Sequence, residues 1–157
     1  MRKRMISAHS ANAVESDANW LPLEKIASVE ISSEEASYPI ENALLSGSEI
    51  GWRAAHPGEQ IIRIIFDAPQ TLRHIRLVFV EQEVERSQEF SLRWSPDDGK
   101  TFHEIVRQQW NFSPHSSAQE REDYQVELSG VTEVELKIVP DRTGGAVQAS
   151  LLQFRLA

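Results

Sequence analysis

The sequence predicts an all-β fold, an antiparallel sandwich of two sheets. Three observations carry this. About eight short runs alternate apolar and polar residues or are continuously apolar. Turn residues separate the runs at short spacing. No stretch shows a sustained helical period. The clearest unit is Ser87 to Phe102. Phe90, Leu92 and Trp94 fall on one face of a strand, and Ser91, Arg93 and Ser95 on the other. Pro96-Asp97-Asp98-Gly99 then breaks the run. Pro96 presets φ for a turn, and Gly99 can take the positive φ that closes a short hairpin loop.

The other elements follow in order. Residues 1–19 are polar and rich in small side chains, and read as a flexible arm. Order is expected from Trp20 to Ala157, as one domain. Lys25 to Ile31 reads as a short strand. Ser32 to Gly58 holds Tyr38-Pro39, Gly47, Gly51, Pro57 and Gly58, and reads as a long irregular segment with one helical turn at Asn42 to Leu44. Such a segment is a natural place for a site. Gln60 to Asp67 is nearly continuous apolar and reads as a central strand that Pro69 ends. Leu72 to Glu81 alternates. Phe102 to Trp110 is the returning arm of the hairpin. Ser113 to Asp123 reads as a polar loop. Tyr124 to Leu128 and Val134 to Ile138 alternate on either side of Ser129-Gly130, and Leu152 to Leu156 ends the chain on a strand.

Composition narrows the function. The chain has 157 residues, a formal net charge of −8 and no cysteine. Disulfides and thiolate chemistry are excluded. The net negative charge argues against nucleic acid as a partner. Met1-Arg2-Lys3-Arg4 precedes no apolar run of signal-peptide length, and no segment approaches the ~20 apolar residues of a membrane span. The expectation is a cytoplasmic protein with no membrane insertion.

Enzyme motifs are missing. Gly99-Lys100-Thr101 copies the tail of a phosphate-binding loop, but Trp94 stands where its first glycine belongs, and the context is a hairpin. His9, His56, His74, His103 and His115 lack metal-ligand spacing. No serine lies in a Gly-x-Ser-x-Gly elbow.

The order of several short motifs resembles the discoidin-type domains, also called coagulation-factor type C or galactose-binding-like domains. These motifs are Tyr38-Pro39, Asn42-Ala43-Leu44, Gly51-Trp52-Arg53, Ile75-Arg76-Leu77, Ser95-Pro96-Asp97-Asp98-Gly99 with Phe102, and the closing Ala149 to Leu156. The run Arg107 to Pro114 is similar to one in uncharacterised bacterial single-domain proteins. The resemblance implies a jelly-roll sandwich whose loops at one end bind sugars, lipid head groups or proteins without catalysis. Many members hold a calcium ion. Here Leu44-Leu45-Ser46-Gly47 supplies no carboxylate at the first ligand place, and Gln153 stands where a glutamate is expected. No metal and no cofactor are therefore expected.

Two groups of residues are the candidate ligand contacts. Trp110 and Phe112 can offer an aromatic face to a sugar ring, and Asn111 can hydrogen-bond its hydroxyls. Equally, Trp110 can be a core residue and Asn111 a turn cap. Arg53 and His56, beside a core Trp52, can orient a polyol, or Arg53 can pair with Glu59 or Glu49 and pin its loop. The expected function is binding of a carbohydrate or small polyol through these loops; the alternative is an intracellular protein–protein interaction module.

Overall fold

The computed structural model describes residues 20–45 and 48–157. The expected arm over 1–19 lies outside them. Among the described residues, two single helical turns, α1 (Leu23–Ile26) and α2 (Glu41–Leu44), accompany eight strands. These are β1 (Ala27–Ile31), β2 (Trp52–Pro57), β3 (Gln60–Val80), β4 (Arg86–Ser95), β5 (His103–Phe112), β6 (Gln119–Val139), β7 (Gln148–Leu151) and β8 (Gln153–Leu156). The fold is the expected jelly-roll sandwich of the galactose-binding-like type.

Two long bent strands build it. β3 and β6 pair antiparallel from Gln60↔Ile138 to Ile65↔Glu133, and again from His74↔Gln125 to Val80↔Gln119. Between these runs the register shifts, and only Gln70 and Leu72 have partners. Sequence reading divides each strand in two, at Pro69 and at Ser129-Gly130. The chain instead keeps strand geometry around a corner. Pro69 falls in the unpaired stretch, where its missing N–H costs no ladder bond. Gly130 takes φ +71° at the matching corner of β6.

The first half of β3 joins β1 and the second half of β6, which continues to β4 and β5. The second half of β3 joins β8 and the first half of β6. The two halves form the two layers. Ile62, Ile64, Leu92 and Leu136 from one layer and Ile75, Leu77 and Phe154 from the other are almost wholly buried. Phe79 and Phe90 meet between the layers with ring centroids 5.2 Å apart.

The Ser95–Thr101 hairpin forms as expected, with Gly99 at φ +84°. Asp98 also takes positive φ, at +59°. Its N–H donates to Thr132 Oγ1, which holds the turn against β6. Phe90 and Leu92 are buried, but Trp94 is only half-buried. A bulge between Leu92 and Arg93 shifts the pairing with β5, and the Trp94 ring lies 5.2 Å from exposed His103.

Two further expectations are corrected. Lys25 and Ile26 belong to α1, and the strand starts at Ala27. Residues 52–57, read as loop, form β2, paired with β7 through Trp52↔Leu151 and Arg53↔Ser150. Glycines 51 and 58 flank a short alternating run in which Trp52 and Ala54 are buried. Gly51 is required there: at φ +69°, a Cβ would stand 2.4 Å from the Leu151 carbonyl oxygen.

Candidate functional site

The bends bring both ends of β3 and both ends of β6 to one end of the sandwich, together with the start of β4 and the end of β5. The corners and the 95–101 hairpin occupy the other end. Arg53, His56 and Asn111 all belong to the first end, where hydrogen bonds tie the segments that carry His56 and Asn111 to the 141–147 loop. Gln60 Nε2 donates to the His56 carbonyl, and Ser32 and Ser33 hydroxyls donate to Gln60 Oε1. Gly58 N–H donates to the Val147 carbonyl. At the other side of that loop, Arg142 N–H donates to the Ser87 carbonyl, and Arg142 Nη1 reaches Gln109 Oε1 at 3.4 Å. Ser87 is the ladder partner of Asn111. The 141–147 loop thus lies between the two candidate walls. Its turn is fixed by Asp141, whose Oδ1 accepts from the Thr143 N–H and hydroxyl; these bonds hold its carboxyl below the usual range.

Arg53 projects outward from β2 because Trp52 and Ala54 face the core. Its guanidinium sits 4.3 Å above the Tyr38 ring and 3.9 Å from Glu35, rather than against Glu49 or Glu59. The side chain remains 43% exposed. His56 and Asn111 are exposed. Trp110 and Phe112 turn the other way. Phe112 is buried, with Arg86 4.6 Å over its ring, so it supports the turn and offers no face to a ligand at the surface. Trp110 is half-buried, edge-on to Phe112 at 6.5 Å, and its indole N–H points to the Ser117 carbonyl. The exposed members of the sequence-derived set are therefore Arg53, His56 and Asn111.

Beside the Trp110–Phe112 end of β5 lies a cluster that sequence reading missed. Arg86 is fully buried between Glu81, Gln88 and the Pro140 carbonyl. Gln88 Nε2 reaches Glu120 Oε1 at 3.4 Å, and both residues have no exposed surface. Burial, with Glu122 close by, pushes the Glu120 carboxyl up to about 8. Burial and the same two glutamates push the Tyr124 phenol up as well. The sequence did carry a signal. The alternation Leu128, Val126, Tyr124 continues to Glu122 and Glu120 on the same face, and Leu92, Phe90 continues to Gln88 and Arg86.

Among the described residues no three His, Asp or Glu side chains gather closely enough to hold a metal ion. Among them, too, no helix is long and apolar enough to cross a membrane.

Comparison with known proteins agrees with this architecture. No curated protein matches the sequence. Among solved structures, the chain is similar to a Ruminococcus gnavus GH29 fucosidase in complex with fucose, with TM-score 0.70 and 12% identity over 93% of this chain. It spans only 28% of that enzyme. It is also similar to the family 32 carbohydrate-binding module of Clostridium perfringens NanJ in complex with galactose, with TM-score 0.62 and 10% identity, covering 87% of this chain and 96% of that one. A pectin-binding carbohydrate-binding module matches with TM-score 0.59 and 17% identity over 83% of this chain and 89% of the other. At these identities the likeness is one of fold. The family described as "XRCC1 N terminal domain" matches residues 20–139, well over half of the chain. The chain belongs to the XRCC1 N-terminal domain family, on a galactose-binding-like sandwich.

Proposed function

We propose that this chain is a non-catalytic module that binds a carbohydrate or small polyol at the loop end of the sandwich. One observation carries the reading: segments far apart in sequence meet at this end, and they leave Arg53, His56 and Asn111 exposed around the 141–147 loop. Arg53 over Tyr38 presents a flat cation with a guanidinium edge that can donate to ring hydroxyls. Asn111 both donates and accepts. Solved neighbours of the same fold are carbohydrate-binding modules, in complex with galactose in one case.

The test is a glycan array followed by titration of any hit. Arg53→Ala and Asn111→Ala each abolish binding while leaving the melting temperature nearly unchanged, because exposed polar positions contribute little to stability. Binding that survives both substitutions sinks the end-loop reading.

A protein-interaction module is the second reading. Among the described residues β5 is the outermost strand of its sheet, paired on one side only, and such an edge can accept an added strand. Proline at Arg107 or Gln109 tests it: a partner captured equally well by both variants argues against strand addition.

A further inference from the structure

The side of the sandwich away from β5 holds a cavity that the loop-end site does not use. Its volume is about 100 Å³, and its walls are Leu23, Ala27, Val29, Leu44, Leu45 and Ile64. β1 pairs with β3 as Ala27↔Phe66 and Val29↔Ile64, and Phe66 and Ile64 are buried, so Ala27 and Val29 turn inward. The cavity is therefore a gap in the apolar interior at the margin of the sheet, between β1 and the segment that carries α2. Two acids, Glu24 and Glu41, stand exposed at its mouth. Neither makes an ion pair among the described residues.

The strand above this cavity is an open edge. Among the described residues β1 ends its sheet opposite β5 and pairs with β3 alone. Ser32 N–H donates to the Ile61 carbonyl in the same register. Ser28 and Glu30 therefore turn their peptide groups toward β3, and Val29 turns its N–H and carbonyl away. Neither Val29 group has a hydrogen-bond partner among the described residues. Exposed edges are usually guarded by proline, lysine or a bulge. β1 has no proline or lysine and pairs with β3 without a bulge. Its single charge, Glu30, is engaged by Arg63 at 3.1 Å.

We propose that the edge of β1 and the cavity beneath it bind an extended peptide segment of another protein, in which apolar and basic side chains alternate. An added strand exchanges two hydrogen bonds with Val29. Its side chains point alternately to the two faces of the sheet. One that turns inward beside Val29 enters the cavity. An apolar cavity of ~150 Å³ takes up benzene, so about 100 Å³ suits one aliphatic side chain. Lysine or arginine on the adjoining residues reaches Glu24 and Glu41, whereas an acidic segment would be repelled. A sugar would bury hydroxyls against an apolar wall without partners. This site lies apart from Arg53, His56 and Asn111 and does not depend on the reading given for them.

The experiment records hydrogen exchange at assigned backbone amides of the full chain. A blocked hexapeptide of alternating leucine and lysine is added up to ~5 mM, enough to fill a site of ~1 mM affinity. The Val29 amide is expected to exchange at least ~tenfold more slowly at saturation, because it gains an acceptor. A lysine–serine hexapeptide has the same charge without the apolar side chains and should leave Val29 unchanged. Glu24→Lys combined with Glu41→Lys alters only exposed positions, so the melting temperature should hold. That variant should bind the leucine–lysine peptide ~tenfold or more weakly. Unchanged exchange at Val29, equal protection by the lysine–serine peptide, or equal binding by the double variant overturns the proposal. Protection of β5 amides in place of Val29 puts the peptide on the other edge and overturns it too. So does a Val29 amide already protected in the chain alone, whether by this chain or, if protection grows with concentration, by a second copy.

Discussion

β6 carries three buried glutamates, and two of them, Glu120 in the first half and Glu135 in the second, are treated in opposite ways. Glu135 faces outward from the sandwich, between Arg63 and Arg93. Arg93 Nε donates to one oxygen at 2.6 Å and Arg63 Nη2 to the other at 2.7 Å. Burial alone pushes its carboxyl up, but the bonds from Arg93 and Arg63 outweigh that and hold it below the usual range. Glu120 faces inward. It receives one long bond from Gln88, and burial together with neighbouring Glu122 drives its carboxyl up. Burial raises both carboxyls, and their neighbours decide the contrast: Glu122 adds to the rise at Glu120, whereas Arg93 and Arg63 reverse it at Glu135. A buried carboxylate with two guanidinium forks stays ionised, and one with a single amide does not. The first carboxylate is matched by two cations; the second shares its interior with another acid.

The largest expected effect comes from removing the cation of the Glu120 half. Arg86→Met leaves Glu81, the Pro140 carbonyl and Gln88 without their donor. Breaking a buried charged network from one side typically costs ~3–5 kcal/mol. Denaturant unfolding at neutral pH measures it. A loss below ~1 kcal/mol for Arg86→Met would show that water fills the cluster freely.

This interior is also where the sequence was hardest to read. The apolar half of the same pattern is plain: Phe90 and Leu92, or Val134, Leu136 and Ile138, alternate and are buried. Period-2 reading depends on apolar side chains to mark the inner face. Where Arg86, Gln88, Glu120 and Glu122 occupy inner positions, the marks vanish, and the strand ends look like loops. The corner strands were divided for a related reason. Pro69 and Gly130 are strong breakers in isolation, and only the paired bend of a second strand makes them corners. At the surface, the segment that holds Arg53 and His56 reads as loop because flanking glycines hide a six-residue strand. That Phe112 and Trp110 turn inward could not be read without knowing that Arg86 and Gln88 lie across from them.

An intermediate effect concerns pH. The folded carboxyl of Glu120 is raised from 4.5 to about 8. Its contribution to stability is therefore fully present below pH ~4.5 and is lost as pH rises through ~8, because the folded state must then ionise a buried acid. Wild-type stability should fall across this window by on the order of 2–4 kcal/mol. Glu120→Gln should flatten that slope and be the more stable protein at pH 8. Parallel stability curves for the two proteins would mean that Glu120 ionises normally.

The smallest effect belongs to the Glu135 half and has the opposite sign. Because Glu135 is held below its ordinary pKa, its contribution is present above about pH 4.5 and is lost as pH falls. Glu135→Gln keeps the shape and one acceptor oxygen but removes the charge that both guanidinium groups address. Arg63 and Arg93 remain 33% and 46% exposed, so water can take over part of each bond. That solvent access limits the expected loss at neutral pH to ~1–2 kcal/mol. The loss should shrink as the pH is lowered, since wild-type Glu135 is then protonated too. Urea midpoints of the two proteins at pH 7 and at pH 3 decide the matter: a difference that grows on acidification contradicts the assignment. The pair of slopes then separates the halves of β6, with Glu120 stabilising on the acid side and Glu135 on the alkaline side.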